Sequence, residues 1–162
     1  MKPTGYSRTQ IALHWVIAAL IIAQFALHDP IVAAWAAFSK GETPTISALV
    51  LMHVWGGTLV LALGLWRLVV RFKRGAPALP EKEHPALKFM AHLTHWVLYA
   101  LMILMPLTGL ATWYGENATA DFIHTTLKIP LLVFVVLHFA AALYQQFYLR
   151  TGLINRMMRA EK

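Results

Sequence analysis

Residues 122–149 read FIHTTLKIPLLVFVVLHFAAALYQQFYL, a run with a single charged side chain, Lys128, and two histidines, His124 and His138. A helix needs ~20 residues at 1.5 Å rise to cross a hydrocarbon core about 30 Å thick, and this run exceeds that length. Three further runs of the same kind lie upstream, at Thr9 to Leu27, Ile46 to Trp66 and Phe89 to Trp113. None of the four alternates apolar and polar residues as a barrel strand would, so all four read as helices. The predicted fold class is therefore an all-α membrane protein, an up-and-down four-helix bundle formed by one unit over residues 1–162.

Composition points the same way. The 162 residues are 59% hydrophobic and 13% charged, a balance that a water-soluble core of this size could not hide. Cysteine is absent, which excludes disulfide scaffolds, thiolate nucleophiles, iron–sulfur clusters and Cys-ligated zinc. Any cofactor must be held by His, Met or carboxylate.

The connections are read from their punctuation. Ile31 to Phe38 is too short to cross and carries Trp35 and Phe38, so it is expected to be an interfacial helix. Arg67 to Lys88, hydrophilic and containing Pro77, Pro80 and Pro85, is expected to be a loop. Pro106 and Pro130 fall inside spans and are expected to kink them. Lys2 and Arg8 before an apolar run resemble a signal peptide, but the run exceeds the usual h-region length and is read as a retained span. Trp15, Trp66 and Trp113 stand near span ends, as in an aromatic belt.

Charge sets the expected orientation. Of 14 Lys and Arg, only Lys40 and Lys128 fall in the outer half; Lys2, Arg8, Arg67, Arg71, Lys73, Arg74, Lys82, Lys88, Arg150, Arg156, Arg159 and Lys162 fall in the other. The positive-inside rule then puts both termini in the cytoplasm. The net charge of +7 is accounted for by topology and membrane lipid, and no nucleic-acid partner is expected.

Histidine within a span is costly and rare, so each one is a functional candidate. His14 lies near the inner end of the first span, His53 near the outer end of the second, and His92 and His95 near the inner end of the third. The fourteen residues from His124 to His138 correspond to about 21 Å and about 1400°, ~40° short of four full turns, so both project from nearly one face. His53 matches His124 in depth, and His14 matches His138. Two opposed imidazole pairs at two depths are what two bis-histidine haems require. Gly56, Gly57, Gly64, Ala18, Ala141 and Ala142 leave room beside these histidines, although small residues also serve close helix packing. Interhelical hydrogen bonding and proton relay are the alternatives for the histidines, and zinc is disfavoured for want of a tight His and carboxylate cluster.

His92 and His95 suit the inner depth too, as ligands or as partners of propionates or of a quinone headgroup. His28 and His84 are read as solvated loop residues. Lys128, one turn inward from His124, is positioned to pair with a propionate or attract an anion, and Arg8, Arg67 and Arg71 to neutralise inner propionates or bind lipid phosphate.

Several motifs carry a resemblance: Tyr6-Ser7-Arg8-Thr9-Gln10-Ile11-Ala12-Leu13-His14-Trp15, Met52-His53, Ala91-His92-Leu93-Thr94-His95, Pro106-Leu107-Thr108-Gly109-Leu110, His124 to His138, and Leu153-Ile154-Asn155-Arg156-Met157-Met158. Over nearly its whole length the chain resembles bacterial cytochrome b561. The resemblance implies a multi-pass dihaem cytochrome of the bacterial inner membrane, with two haems b ligated from the first, second and fourth spans. It assigns His53 and His124 to the outer haem and His14 and His138 to the inner one. A similar member of the family oxidises superoxide on the periplasmic side and reduces ubiquinone, so a superoxide:ubiquinone oxidoreductase is the expected activity, with Lys128 and Lys40 recruiting the anion. The alternative is an electron-transfer subunit linking a dehydrogenase or periplasmic redox partner to the quinone pool; an ion transporter ranks last. Related sequences commonly carry two adjacent histidines seven and eight residues after the last ligand, where this chain has Gln145 and Gln146.

Overall fold

The computed structural model describes residues 3–78 and 84–161. Lys2, Pro80, Lys82 and Lys162 lie outside the described residues. The elements run α1 (Arg8–Ala26), α2 (Asp29–Ser39), α3 (Ala48–Arg74), α4 (Pro85–Gly115), α5 (Ala118–Leu143), a π-helical turn (Tyr144–Tyr148) and α6 (Leu153–Arg156). Four helices are long and apolar enough to cross a membrane, with mean hydropathies of 1.7, 1.9, 1.6 and 2.1. Below, "inner" denotes the end of the bundle that bears both termini.

Each long helix has a local reason to begin where it does. Ser7 caps α1 by accepting from the Gln10 amide at 3.2 Å, while the Gln10 side chain accepts from the Ser7 amide at 3.0 Å, a reciprocal capping box. The same glutamine donates to the Gly75 carbonyl at 2.9 Å, tying the start of α1 to the end of α3. Ser47 and Asn117 cap α3 and α5, and His84 caps α4 ahead of Pro85, which suits the first turn because its missing N–H would be unsatisfied there anyway.

The segment expected to be a loop from Arg67 to Lys88 is largely helical. α3 continues to Arg74, and α4 starts at Pro85. The reason is that Arg67, Arg71 and Arg74 recur at helical spacing among Leu68, Val69, Val70 and Phe72, so the stretch is amphipathic, and its basic side chains complement the negative helix end. Gly75 stops α3 at φ 82°, a left-handed conformation open to glycine. The outer connection between α4 and α5 is shorter than expected: Glu116 and Asn117 alone join them.

α1 packs on α3, α3 on α4 and α4 on α5, while α2 rests on α3 at the outer end. A small core of Ile17, Tyr99 and Met102, backed by Ile21, Leu63 and Leu68, holds the first three long helices together. α5 differs from them. Its apolar span is the most hydrophobic of the four yet only 6% buried, because among the long helices it packs extensively against α4 alone. Toward α1 and α3 it turns the face that carries His124 and His138.

Beyond the π-helical turn the chain folds back across the inner end. Thr151 donates to the Gln145 carbonyl at 3.0 Å and to its side-chain oxygen at 3.1 Å, and the Gln146 side chain accepts from the Ile154 amide at 3.1 Å. Trp15 donates to the Met157 carbonyl at 2.8 Å, and Arg156 to the Ala78 carbonyl at 3.1 Å. Glu161 pairs with Arg74 at 2.7 Å and accepts from the Thr4 hydroxyl.

Candidate functional site

Two layers of imidazole face each other between α5 and its neighbours. In the outer layer, the ring centres of His53 on α3 and His124 on α5 are 6.4 Å apart with planes at 77°. In the inner layer, His14 on α1 and His138 on α5 are 6.1 Å apart at 69°. Two ring nitrogens on opposite sides of one metal, each about 2 Å from it and about 1.1 Å from its own ring centre, put the centres about 6 Å apart. Both pairs fit that separation. Among the described residues no group of three or more His, Cys, Asp or Glu gathers as a protein metal cage would. The donor set suits a group that brings its own equatorial ligands and takes one imidazole from each side.

The outer pair opens on a cavity of about 510 Å³ walled mostly by apolar side chains of all five major helices, a volume within the range of cofactor sites. Its polar lining includes Gln24, His28, Thr58, Asp121 and Lys128. Lys128 is thus placed at the cavity, half-buried. His28, expected to be merely solvated, is instead part of this wall, its Nδ1 3.1 Å from Asp29 and its side chain 32% exposed. The turn into α2 carries it inward, which the short sequence His28-Asp29-Pro30 did not reveal. His84, likewise expected to be solvated, is exposed but accepts from the Ala86 amide at 3.3 Å as the cap of α4.

The two outer rings are held differently. His124 Nδ1 donates to the Met105 carbonyl of α4 at 2.8 Å, with the Thr108 hydroxyl 3.3 Å away. A carbonyl only accepts, so a neutral ring carries its proton on Nδ1 and presents the Nε2 lone pair. His53 Nδ1 is buried with no hydrogen-bond partner among the described residues.

The inner layer holds a third imidazole. His95 on α4 lies 5.1 Å from His138, centre to centre, at 85°, and its Nδ1 donates to the Ala91 carbonyl at 2.6 Å. That separation is about 1 Å shorter than the 6.1 Å between His14 and His138, and it sets His95 beside that pair. His92 is exposed and is not brought to the site. Arg67 donates to the Gln10 carbonyl at 2.6 Å, and the Arg71 guanidinium lies 5.8 Å from the Trp96 ring centre and 5.6 Å from that of Tyr99. Together with Tyr6, Gln10 and Tyr99 these arginines line a cleft of about 10 Å³, room for about one water. Burial raises the Tyr6 phenol above its ordinary pKa, keeping it a proton donor. Arg8 is exposed on the first turn of α1, apart from Arg67 and Arg71.

The comparisons with known proteins agree with one another. A family model described as prokaryotic cytochrome b561 matches residues 5–160. The chain is 35% identical over 155 residues to cytochrome b562 of Cereibacter sphaeroides, covering 96% of each chain. It is 28% identical over 177 aligned positions to a probable superoxide oxidase, CybB, of Yersinia pestis, covering 94% of this chain and 95% of the relative. Cytochrome b561 homolog 1 of Escherichia coli is 24% identical over 179 positions, covering 97% and 98%. With a family match across nearly the whole chain and four helices able to span a membrane, this protein is a multi-pass electron-transfer protein of the bacterial inner membrane and belongs to the prokaryotic cytochrome b561 family.

Proposed function

We propose that the chain carries two haems b, one between His53 and His124 and one between His14 and His138, and passes electrons from superoxide at the periplasmic face to ubiquinone at the cytoplasmic side. The observation that carries this reading is the pair of ring separations, 6.4 and 6.1 Å, at two levels of one helix. The bound haems supply a one-electron ferric/ferrous couple at each level. The chain's own residues hold, orient and insulate them. The facing imidazoles stand with their planes at 77° and 69°, and the mostly apolar wall of the outer cavity would shield a bound haem there from water. The charge bias supports cytoplasmic termini, and on that orientation the large cavity, which borders the outer pair, lies in the periplasmic half of the bundle.

Lys128 provides a cation at that cavity, where an anion would approach or a propionate would sit, and Lys40 at the end of α2 adds to the field. Arg67 and Arg71, with no acidic side chain in ion-pair distance among the described residues, would neutralise the propionates of an inner haem; Arg8, exposed, would contribute at the lipid phosphate boundary or to the same propionates at longer range. Gln145 and Gln146 are already engaged with Thr151 and Ile154, so quinone recognition here uses other groups than that pair in its present contacts.

A second reading, an electron-transfer subunit between a dehydrogenase or periplasmic redox protein and the quinone pool, is favoured by the 35% identical relative, whose name specifies a cytochrome without an oxidase activity. Stopped-flow mixing of the purified protein with superoxide in the presence of ubiquinone separates them. Rapid superoxide loss coupled to quinol formation supports the first reading; reduction by a partner protein alone, with superoxide decaying at its spontaneous rate, supports the second.

A further inference from the structure

The two histidines of the outer layer are unequal, and the inequality originates on α4, which donates no ligand to that layer. We infer that Met105, Thr108 and Gly109 form a seat for His124, with Gly109 the positioning residue that lets the ring reach the Met105 carbonyl. The inference rests on reading His53 and His124 as an axial pair. A Cβ built at Gly109 would stand 3.0 Å from His124 Cε1 and 3.2 Å from Nδ1, closer than ordinary contact. With any Cβ there, the ring would have to give by a few tenths of an ångström. The next glycine of the helix, Gly115, has nothing within 4 Å of the same construction.

The ring that uses this space donates to Met105 at 2.8 Å, and Thr108 shares the arrangement, its hydroxyl lying 2.9 Å from the same carbonyl and 2.8 Å from that of Leu104. With its proton directed to a carbonyl of its own helix, the Thr108 oxygen faces His124 Nδ1 as a second, longer acceptor at 3.3 Å. The seat therefore fixes the tautomer, the rotation of the ring and the strength of the Nδ1–H bond together. A ligand imidazole that donates from its far nitrogen becomes a more basic ligand. His53, with no such partner, is the weaker donor of the two. α4 and α5 pack against each other, so the seat and the ring stand on neighbouring helices.

The test compares haem-loaded wild type, Gly109→Ala, Gly115→Ala and Thr108→Val in detergent, reading haem per chain, the midpoint potential of each centre and the low-spin ferric EPR signal, which senses the angle between the two imidazole planes. Gly109→Ala is expected to displace the ring by a few tenths of an ångström, weaken its bond to Met105 and shift the outer EPR signal. The outer one-electron equilibrium should move toward the reduced form by threefold to tenfold, about 28 to 59 mV, with the inner centre and Gly115→Ala unchanged. Unmoved outer signals with both haems retained would overturn the seat. Should Gly109→Ala lose the outer haem outright, Thr108→Val decides: a shifted outer EPR signal supports the seat, and an unshifted one overturns it. Wild type with fewer than two haems defeats the axial-pair reading itself, an outcome distinct from failure of the seat.

Discussion

The outer and inner layers use the same ligand chemistry in opposite surroundings. The outer pair borders a cavity of about 510 Å³, whereas the inner pair has a third imidazole, His95, beside it, lies at the end of the bundle that carries Arg67 and Arg71, and draws His14 from the helix whose Trp15 pins the C-terminal segment. On the proposed function this contrast gives the molecule a direction: a small molecule would meet the pair that borders the cavity, and the pair beside Arg67 would lie further along the electron's path. The asymmetry is built mostly by α4 and the terminal segments, and α5 contributes one histidine to each level.

Substitutions should break this contrast in graded ways. The largest effect is expected from His124→Ala, which should remove one haem per chain and leave the inner centre's spectrum intact; His138→Ala should do the reverse. Pyridine haemochrome assay against chain concentration reads both. Next comes Arg67→Gln. Loss of a positive charge beside the inner pair disfavours the reduced form, so the inner midpoint should fall by roughly tenfold in equilibrium constant, about 59 mV, with the outer one unmoved in a redox titration. Lys128→Gln is expected to slow superoxide consumption roughly threefold at low salt and to flatten its ionic-strength dependence, because it removes steering and leaves the ligands in place.

The smallest effect concerns the terminal clasp. The Thr4 hydroxyl, and after it the neighbouring amides and Arg74, hold the Glu161 carboxyl below its ordinary pKa. A depressed carboxylate stabilises the folded arrangement above its unfolded pKa and loses that contribution as pH falls through the folded value. The clasp should therefore loosen only below the ordinary carboxylate range, and Glu161→Gln should loosen it at neutral pH. The Trp15 contribution to fluorescence, taken as the difference between the protein and its Trp15→Phe variant, checks both.

Much of this was legible in the sequence because membrane helices obey two simple constraints, length and period. The fourteen residues between His124 and His138 set two levels on one face, and the depths of His14 and His53 matched them, so the facing of the rings followed from arithmetic. What escaped had physical causes. The inner end of α3 was hidden because its arginines read as a loop until their helical spacing was set against Leu68, Val69 and Phe72. His92 and His95 were inseparable at a spacing of three, yet the packing of α4 sets His95 half-buried beside His138 and leaves His92 exposed. His28 is turned into the cavity by a bend that local sequence does not encode. The seat of His124 depends on a backbone carbonyl, which every residue possesses and no side-chain pattern marks.

The central claim is that two imidazole pairs hold two haems. Its most direct test is the haem content of the purified full-length chain, by pyridine haemochrome against quantitative amino-acid analysis, after expression with ample haem supply. Two haems b per chain, falling to one in His53→Ala, is the predicted result; colourless protein, or wild type with a single haem, would contradict it.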